Sequence, residues 1–366
     1  MMQPSHILKT FLPTRYSKRT QEIFRVNPTI DPVREEAQNI KVDIYDYDAH
    51  TLDHHEFTSV HTCNRFKDNG KITWINIDGL RKTDVETICN EFHIHPLLIE
   101  DILSVGQRPK MDELDNVLFC LLNMLYFNEE GGCIEQEQVS IVLGKDYVLS
   151  FQEEAGRDVF NPVREKIQME GSKLRTSGAD YLCYSLIDII VDSYYGVLEK
   201  LGEYIETLEE QIIHIGDAHS LTSITTLRKE LIILKRNMNP VRDIVNAFMR
   251  TDSDLLNEKI TRYFKDVYDH IVQANDLVEN YRDMMMSLQD LYLNKVNLRM
   301  NEVMKVMAIV TCLLAPATVI GGIFGMNFQS IPYIHNQYGF WIAVALMLLI
   351  PLWMIYMFKK KGWFNN

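Results

Sequence analysis

Residues Gly321 to Gly339 read "GGIFGMNFQSIPYIHNQYG" and join two apolar runs. From Val306 to Phe358 there is no Asp, Glu, Lys or Arg, and His335 is the only titratable side chain apart from Tyr and Cys. Two segments fit inside this stretch, Val306–Phe324 and Tyr338–Phe358. Each matches the roughly 20 apolar residues that cross a bilayer. Lys359, Lys360 and Lys361 follow the second segment, Arg299 and Lys305 precede the first, and the connecting loop has no Lys or Arg. The positive-inside rule then puts both termini in the cytoplasm and the loop outside. Pro316 and Pro351 lie inside the spans and are expected to bend them. Two helices cannot enclose a pathway, so any conduction requires several copies around an axis.

Upstream of the first span the pattern stays helical, with no Pro or Gly from Thr251 to Ala315. A single helix over Leu255–Gly322 would be on the order of 100 Å long at 1.5 Å per residue. Steps of seven from Asp269 give Asp276, Asp283, Asp290, Asn297, Met304, Thr311, Thr318 and Gly325. The intermediate positions give Asn301, Ala308, Ala315 and Gly322. The upper part of this face is small or weakly polar, while Leu313, Leu314, Val319, Ile320 and Ile323 lie largely off it. Such a stripe suits a narrow pore that is acidic at its cytoplasmic end. It also suits a helix-packing seam, since Gly321-x-x-x-Gly325 lets helices approach closely. A straight helix drifts by about 20° per heptad, so the stripe is firmest near the membrane.

Residues before about 160 mix strands and helices. "KVDIYDY", "TWINI", "VLFCLLNMLYF", "QVSIVLG" and "YVLSF" read as strands. Thr83-Asp84-Val85-Glu86 is a capping box for a helix over roughly 84–92, and Pro96 sits in a helix's first turn. The expected fold is an α/β cytoplasmic domain, a mixed sheet with flanking helices, plus one very long stalk and pore helix and two C-terminal transmembrane helices. By position, 1–40 is a mobile arm, 41–250 the α/β and helical regulatory domain, and 251–302 the stalk. The first span is 303–325, the external loop 326–337, the second span 338–358 and the basic tail 359–366.

The formal net charge is −13, which argues against nucleic-acid binding. Between Ala179 and Ala218 acids far outnumber the single base, Lys200, whereas the following stretch carries Arg228, Lys229, Lys235, Arg236 and Arg242. Complementary faces of two antiparallel helices, or an acidic surface exposed to cations, would each account for this asymmetry. None of the six cysteines forms a CxxC pair, so reduced thiols are expected. There is no Walker loop, HExxH or nucleophile elbow, hence no sign of an enzyme. The run "HTLDHHEF" holds His50, Asp53, His54 and His55, donors for a transition metal by type, but reads as a polar loop beside a strand.

Gly325-Met326-Asn327, placed at the end of the first of two C-terminal spans, resembles the signature of the CorA family of magnesium channels. "TWINIDGL", "HPLLIEDIL", "QRPK", "EQVSIVLGKDYVLSFQE", "DYLCYSLIDIIVDSYY", "YFKDVYDH" and "NEVMKVMAIV" also resemble CorA segments. The resemblance implies a homopentamer in the cytoplasmic membrane, with a funnel-shaped cytoplasmic part lined by the long helix. It implies Mg²⁺ as the transported ion, with Co²⁺, Ni²⁺ or Zn²⁺ as alternatives that the pore residues do not separate. It also implies divalent-ion sites between subunits at Glu100, Asp101, Asp188 and Asp266, where bound Mg²⁺ holds the closed state. Met304 and Met307 would form a hydrophobic constriction that gates by dewetting. One departure is the loop "FQSIPYIHNQY", which lacks the acidic residue that relatives often carry there.

Mg²⁺ demands near-octahedral oxygen geometry and gives up water reluctantly. A ring of Asn327 carbonyls, helped by the backbone carbonyl of Gly325, would face its water shell without the trapping strength of carboxylates. Asn301 would repeat the arrangement on the inner side. Asn327 as a plain helix cap is the alternative. A membrane-tethered scaffold would need neither the small-polar stripe nor the two amides.

Overall fold

The computed structural model describes residues 36–37, 39–104, 106–129, 132–153, 159–214, 218–326 and 337–363. The chain divides into two compact units. The first holds residues 1–211 and 218–288, and the second holds 212–217 and 289–366.

The first unit is built on a seven-stranded sheet. Its strands are β1 (Lys41–Tyr47), β2 (Leu52–Phe57), β3 (Ile72–Asp78), β4 (Lys110–Leu114), β5 (Val117–Asn128), β6 (Cys133–Leu143) and β7 (Tyr147–Gln152). Their spatial order is β2-β1-β3-β7-β6-β5-β4. Only β3 and β7 pair in parallel; the rest are antiparallel. The β4–β5 hairpin turns through Asp115 and Asn116, both at positive φ, the conformation that short polar side chains tolerate and a two-residue hairpin needs.

Alternate residues of the strands face opposite layers. Val42, Ile44, Ile75, Ile77, Phe119, Leu121, Val142, Leu149 and Phe151 form one core with helices α1 (Lys82–Glu91) and α2 (Pro96–Leu103). Gly79 closes this layer at positive φ; a Cβ there would come within 2.5 Å of the Asn39 carbonyl. Ala37, Asn39 and Ile40 are thus seated on the domain, and Ile40 is part of its core. The expected arm must therefore end sooner than residue 40, and residues 1–35 lie outside the described residues.

The opposite layer holds α3 (Asn161–Gln168), α4 (Lys173–Thr176) and the long α5 (Ala179–His214). Trp74 on this side stacks on Tyr45, meets Phe160 edge-on and donates its ring N–H to Ser150 at 2.9 Å. Tyr194 of α5 donates to the Asn123 carbonyl at 2.7 Å. Helix α6 (Ala218–Arg250) anchors to the β5–β6 end of the sheet. Its Asn237 accepts from Asn123 at 2.7 Å and donates to Gln136 at 3.0 Å, while Glu230 accepts the Ile134 N–H at 2.7 Å. These buried polar groups are satisfied in pairs, as burial requires.

Helix α7 runs Thr261–Phe324 without interruption. Within the first unit it buries Phe264, Val267, Ile271, Ala274, Val278, Met285 and Leu288, spaced at three, four or seven residues and so on one face. Asp269, Asp276 and Asp283 are exposed on the other side. In the second unit, α7 continues from Gln289 and is followed by α8 (Gly339–Lys360).

Several expectations are corrected. The run "LDHHEF" is an edge strand, β2, not a loop, and β4 was not anticipated. Helix α1 starts at Lys82, with Arg81 at the cap position and no side-chain cap. Thr83 is thus already helical, and the Arg81–Asp84 ion pair at 2.9 Å occupies the place of the expected capping box. The stalk helix begins at Thr261, after a 3₁₀ turn over Glu258–Ile260, not near Thr251 or Leu255. Lys235 of α6 pairs with Glu279 of α7, so this base does not serve an α5–α6 complementary face. All six cysteines are free thiols, as expected.

Candidate ion pathway and metal-binding carboxylates

Among the described residues, three helices are long and apolar enough to cross a membrane: α5, α7 and α8. The apolar stretch of α5 is 61% buried within the protein, whereas those of α7 and α8 are each only 6% buried. Helix α5 is accounted for by the domain core; the other two expose apolar surface that water would not tolerate and a bilayer would.

The faces of α7 in the second unit differ. Ile309 is buried and Leu313, Pro316, Ala317 and Ile320 are half-buried. Gly321 faces α8, where a Cβ would approach Met347 Cε to 3.7 Å. That is an ordinary van der Waals distance, so packing against this chain's own second span leaves room for a Cβ there. Asn297, Asn301, Met304, Met307, Ala308, Thr311, Ala315, Thr318 and Gly322 lie on the other side and are exposed, as is Asp290 below them. The Thr311 hydroxyl donates to the Met307 carbonyl at 2.8 Å, and that of Thr318 to the Leu314 carbonyl at 2.9 Å. These hydroxyls satisfy themselves on their own helix and turn lone pairs outward. Helix α7 ends at Phe324; Gly325 donates to the Gly321 carbonyl at 2.9 Å, and Met326 follows, half-exposed. Asn327 and the loop through 336 lie outside the described residues.

The four carboxylates expected to bind metal separate into two groups. Glu100 is exposed on α2, and Asp101 next to it accepts from Lys110 Nζ at 2.7 Å. Asp188 is on α5, in the layer across the sheet: Cys183 of α5 neighbours Cys120, which points away from the α2 side. One protomer therefore does not bring Asp101 to Asp188. Asp188 instead joins two residues that sequence reasoning passed over. Asp188, Asp192 and His270 offer ligand atoms within 4.8 Å of one another. Asp188 and Asp192 are one helical turn apart on α5, and His270 is one turn beyond Asp266 on α7. The i, i+4 spacing of the two aspartates was the signal available in "IDIIVDSYY".

Burial pushes the Asp188 carboxyl above the usual carboxylate range, and the neighbouring Asp192 charge adds to this, while a hydrogen bond from Tyr184 at 3.2 Å opposes it. Asp266 contributes in the same direction as Asp192. A cavity of about 240 Å³ opens beside Asp188 and Asp192, with Lys166 and Lys173 on its wall. A half-buried Asp188 carboxyl held up beside Asp192 gains when a cation joins the two, so this donor set fits a divalent ion.

A membrane-anchored α/β domain whose longest helix runs into the first of two C-terminal spans is the architecture of a divalent-cation transporter. Residues 69–360 match the family described as CorA-like Mg²⁺ transporter protein, and the chain belongs to that family. It is 38% identical over 327 residues to the cobalt/magnesium transport protein CorA of Thermotoga maritima, covering 89% of this chain and 93% of that one. Its fold resembles the complete structure of the CorA magnesium transporter of Methanocaldococcus jannaschii, with a TM-score of 0.74 at 22% identity, over 88% of this chain and 98% of that one. It likewise resembles the full-length CmaX protein, with a TM-score of 0.66 at 17% identity, over 90% and 99% of the two chains.

Proposed function

We propose that the chain is the subunit of a homopentameric channel that admits Mg²⁺ across the cytoplasmic membrane and closes when intracellular Mg²⁺ is high. The observation that carries this reading is the exposed small-polar face of α7, turned away from the side that meets α8. A lone protomer leaves that face uncovered, and copies arranged about an axis would line a path with it. The names of the relatives supply the ion: magnesium, with cobalt as a second substrate of the Thermotoga protein.

In this reading Asn327 with Gly325 and Met326 forms the outer filter, Asn301 an inner ring, and Met304 and Met307 the constriction between water-filled segments. Both termini are cytoplasmic and the loop after Met326 is external. Carboxylates of α2 in one subunit and of α5 and α7 in its neighbour share regulatory Mg²⁺. The sheet between α2 and α5 is what makes such a site intersubunit. Bound ions would bridge acids that repel when bare, and so bias the assembly toward closure.

The test is flux into liposomes containing the purified protein, comparing Mg²⁺, Co²⁺, Ni²⁺ and Zn²⁺. Saturable Mg²⁺ uptake that slows with Mg²⁺ on the cytoplasmic side supports the proposal. Uptake of transition ions without Mg²⁺ would make the protein a transition-metal transporter, and no uptake of any ion would leave a membrane-anchored scaffold.

A further inference from the structure

The edge strand β2 sets polar side chains of "LDHHEF" beside those of β1. In the β1–β2 ladder Asp43 stands opposite Glu56, and Tyr45 opposite His54. All four share one face, because they alternate by two along each strand. His54 stacks on the Tyr45 ring, centroids 4.3 Å apart and planes within 15°, which holds the imidazole against the sheet. Asp43, His54 and Glu56 place one ligand atom each within 4.8 Å of the others. Asp43 is only 2% exposed, and its Oδ1 is buried without a hydrogen-bond partner. Its other oxygen is occupied: Lys41 Nζ is 3.0 Å from Oδ2 and 3.9 Å from Glu56, and an Arg164 nitrogen is 4.0 Å away. An unsatisfied buried carboxylate oxygen costs free energy unless something binds it.

We propose that Asp43, His54 and Glu56 form a binding site for a divalent transition ion of the Zn²⁺, Co²⁺ and Ni²⁺ class, distinct from the carboxylates around Asp188. Such ions bind imidazole nitrogen and carboxylate oxygen at roughly 2.0–2.2 Å. Ligand atoms of one ion then sit closer together than 4.8 Å, and small rotations of the two exposed side chains, His54 and Glu56, close that difference. The imidazole selects against Mg²⁺, which prefers an all-oxygen, largely hydrated shell. Lys41, half-exposed at the mouth, is the resident competitor and swings to solvent when the ion enters.

The experiment uses the purified full-length protein in detergent with millimolar Mg²⁺ present to fill oxygen-only sites. Zn²⁺ binding is measured by calorimetry, and Co²⁺ binding by its visible absorption. The expected result is one Zn²⁺ site per protomer that weakens at least tenfold in His54→Ala and in Glu56→Gln, tightens in Lys41→Met, and persists in His270→Ala. Both His54 and Glu56 are exposed, so these variants should keep wild-type Mg²⁺ flux and circular dichroism. The proposal is overturned if His54→Ala and Glu56→Gln bind Zn²⁺ like the wild type. It is also overturned if the Zn²⁺ site disappears in His270→Ala while surviving in His54→Ala.

Discussion

His270 Nδ1 lies 3.3 Å from Asp192 Oδ1, where the start of the long α7 helix packs on α5 beside the half-buried Asp188. Helix α7 is continuous from this point to the membrane span. His270 and the proposed pore face are thus carried by the same helix.

Asp188 is held above the usual aspartate value of 3.8, chiefly by burial and then by Asp192. A carboxyl whose folded value is raised contributes stability at low pH and loses it as pH rises through the folded value. At pH 7 the metal-free protein carries this cost and a bound ion offsets it. Asp188→Asn should therefore raise the Tm measured in chelator at pH 7, and should lose much of the rise that Mg²⁺ produces in the wild type. A variant that is less stable in chelator yet keeps the full Mg²⁺ response would remove Asp188 from the regulatory set.

Asp101 and Asp266 are the members of the set that a second subunit would have to bring together. The double variant Asp101→Ala, Asp266→Ala should fold, weaken Mg²⁺ protection against proteolysis and stay open at higher internal Mg²⁺. Freed Lys110, now 2.7 Å from Asp101, adds a positive charge that favours the same direction. Closure at the wild-type Mg²⁺ concentration would show that these acids do not sense the ion.

The proposed orientation rests on the loop without Asp, Glu, Lys or Arg between Lys-flanked spans. In a background without native cysteines, a cysteine at Ser330 should react with an impermeant thiol reagent added outside the cell, and one at Asn365 should not. The reverse pattern of labelling would invert the topology and place the sheet domain outside.

Asn327→Ala should abolish Mg²⁺ flux while leaving expression and oligomer formation intact, because it removes an acceptor and little volume. Asn327→Asp keeps the shape but adds a charge per subunit; slower release and block by Mg²⁺ are the expected outcome. If Asn327 is only a helix cap, Asn327→Ala costs about 1 kcal/mol of local stability and conducts normally. Measured flux in well-formed oligomers decides between the two.

What the sequence by itself determined follows from strong local constraints. A stretch as long as Val306–Phe358 without a charged residue has no stable place except a bilayer, so both spans were legible. The absence of Pro and Gly from Thr251 to Ala315 announced α7, and β-branched and aromatic runs announced the central strands. Only the tertiary structure decided the rest. Strands β2 and β4 lie at the two edges of the sheet, where one side is unpaired and β2 is largely exposed and β4 half-buried, so their sequences carry charge in place of apolar alternation. The parallel β3–β7 pairing joins residues more than seventy positions apart, which no local period encodes. The same holds for the proposed metal-binding groups. His270 reaches Asp188 and Asp192 from a distant helix, and Asp43 meets Glu56 through register, so each set of donors exists only once packing has chosen which faces meet.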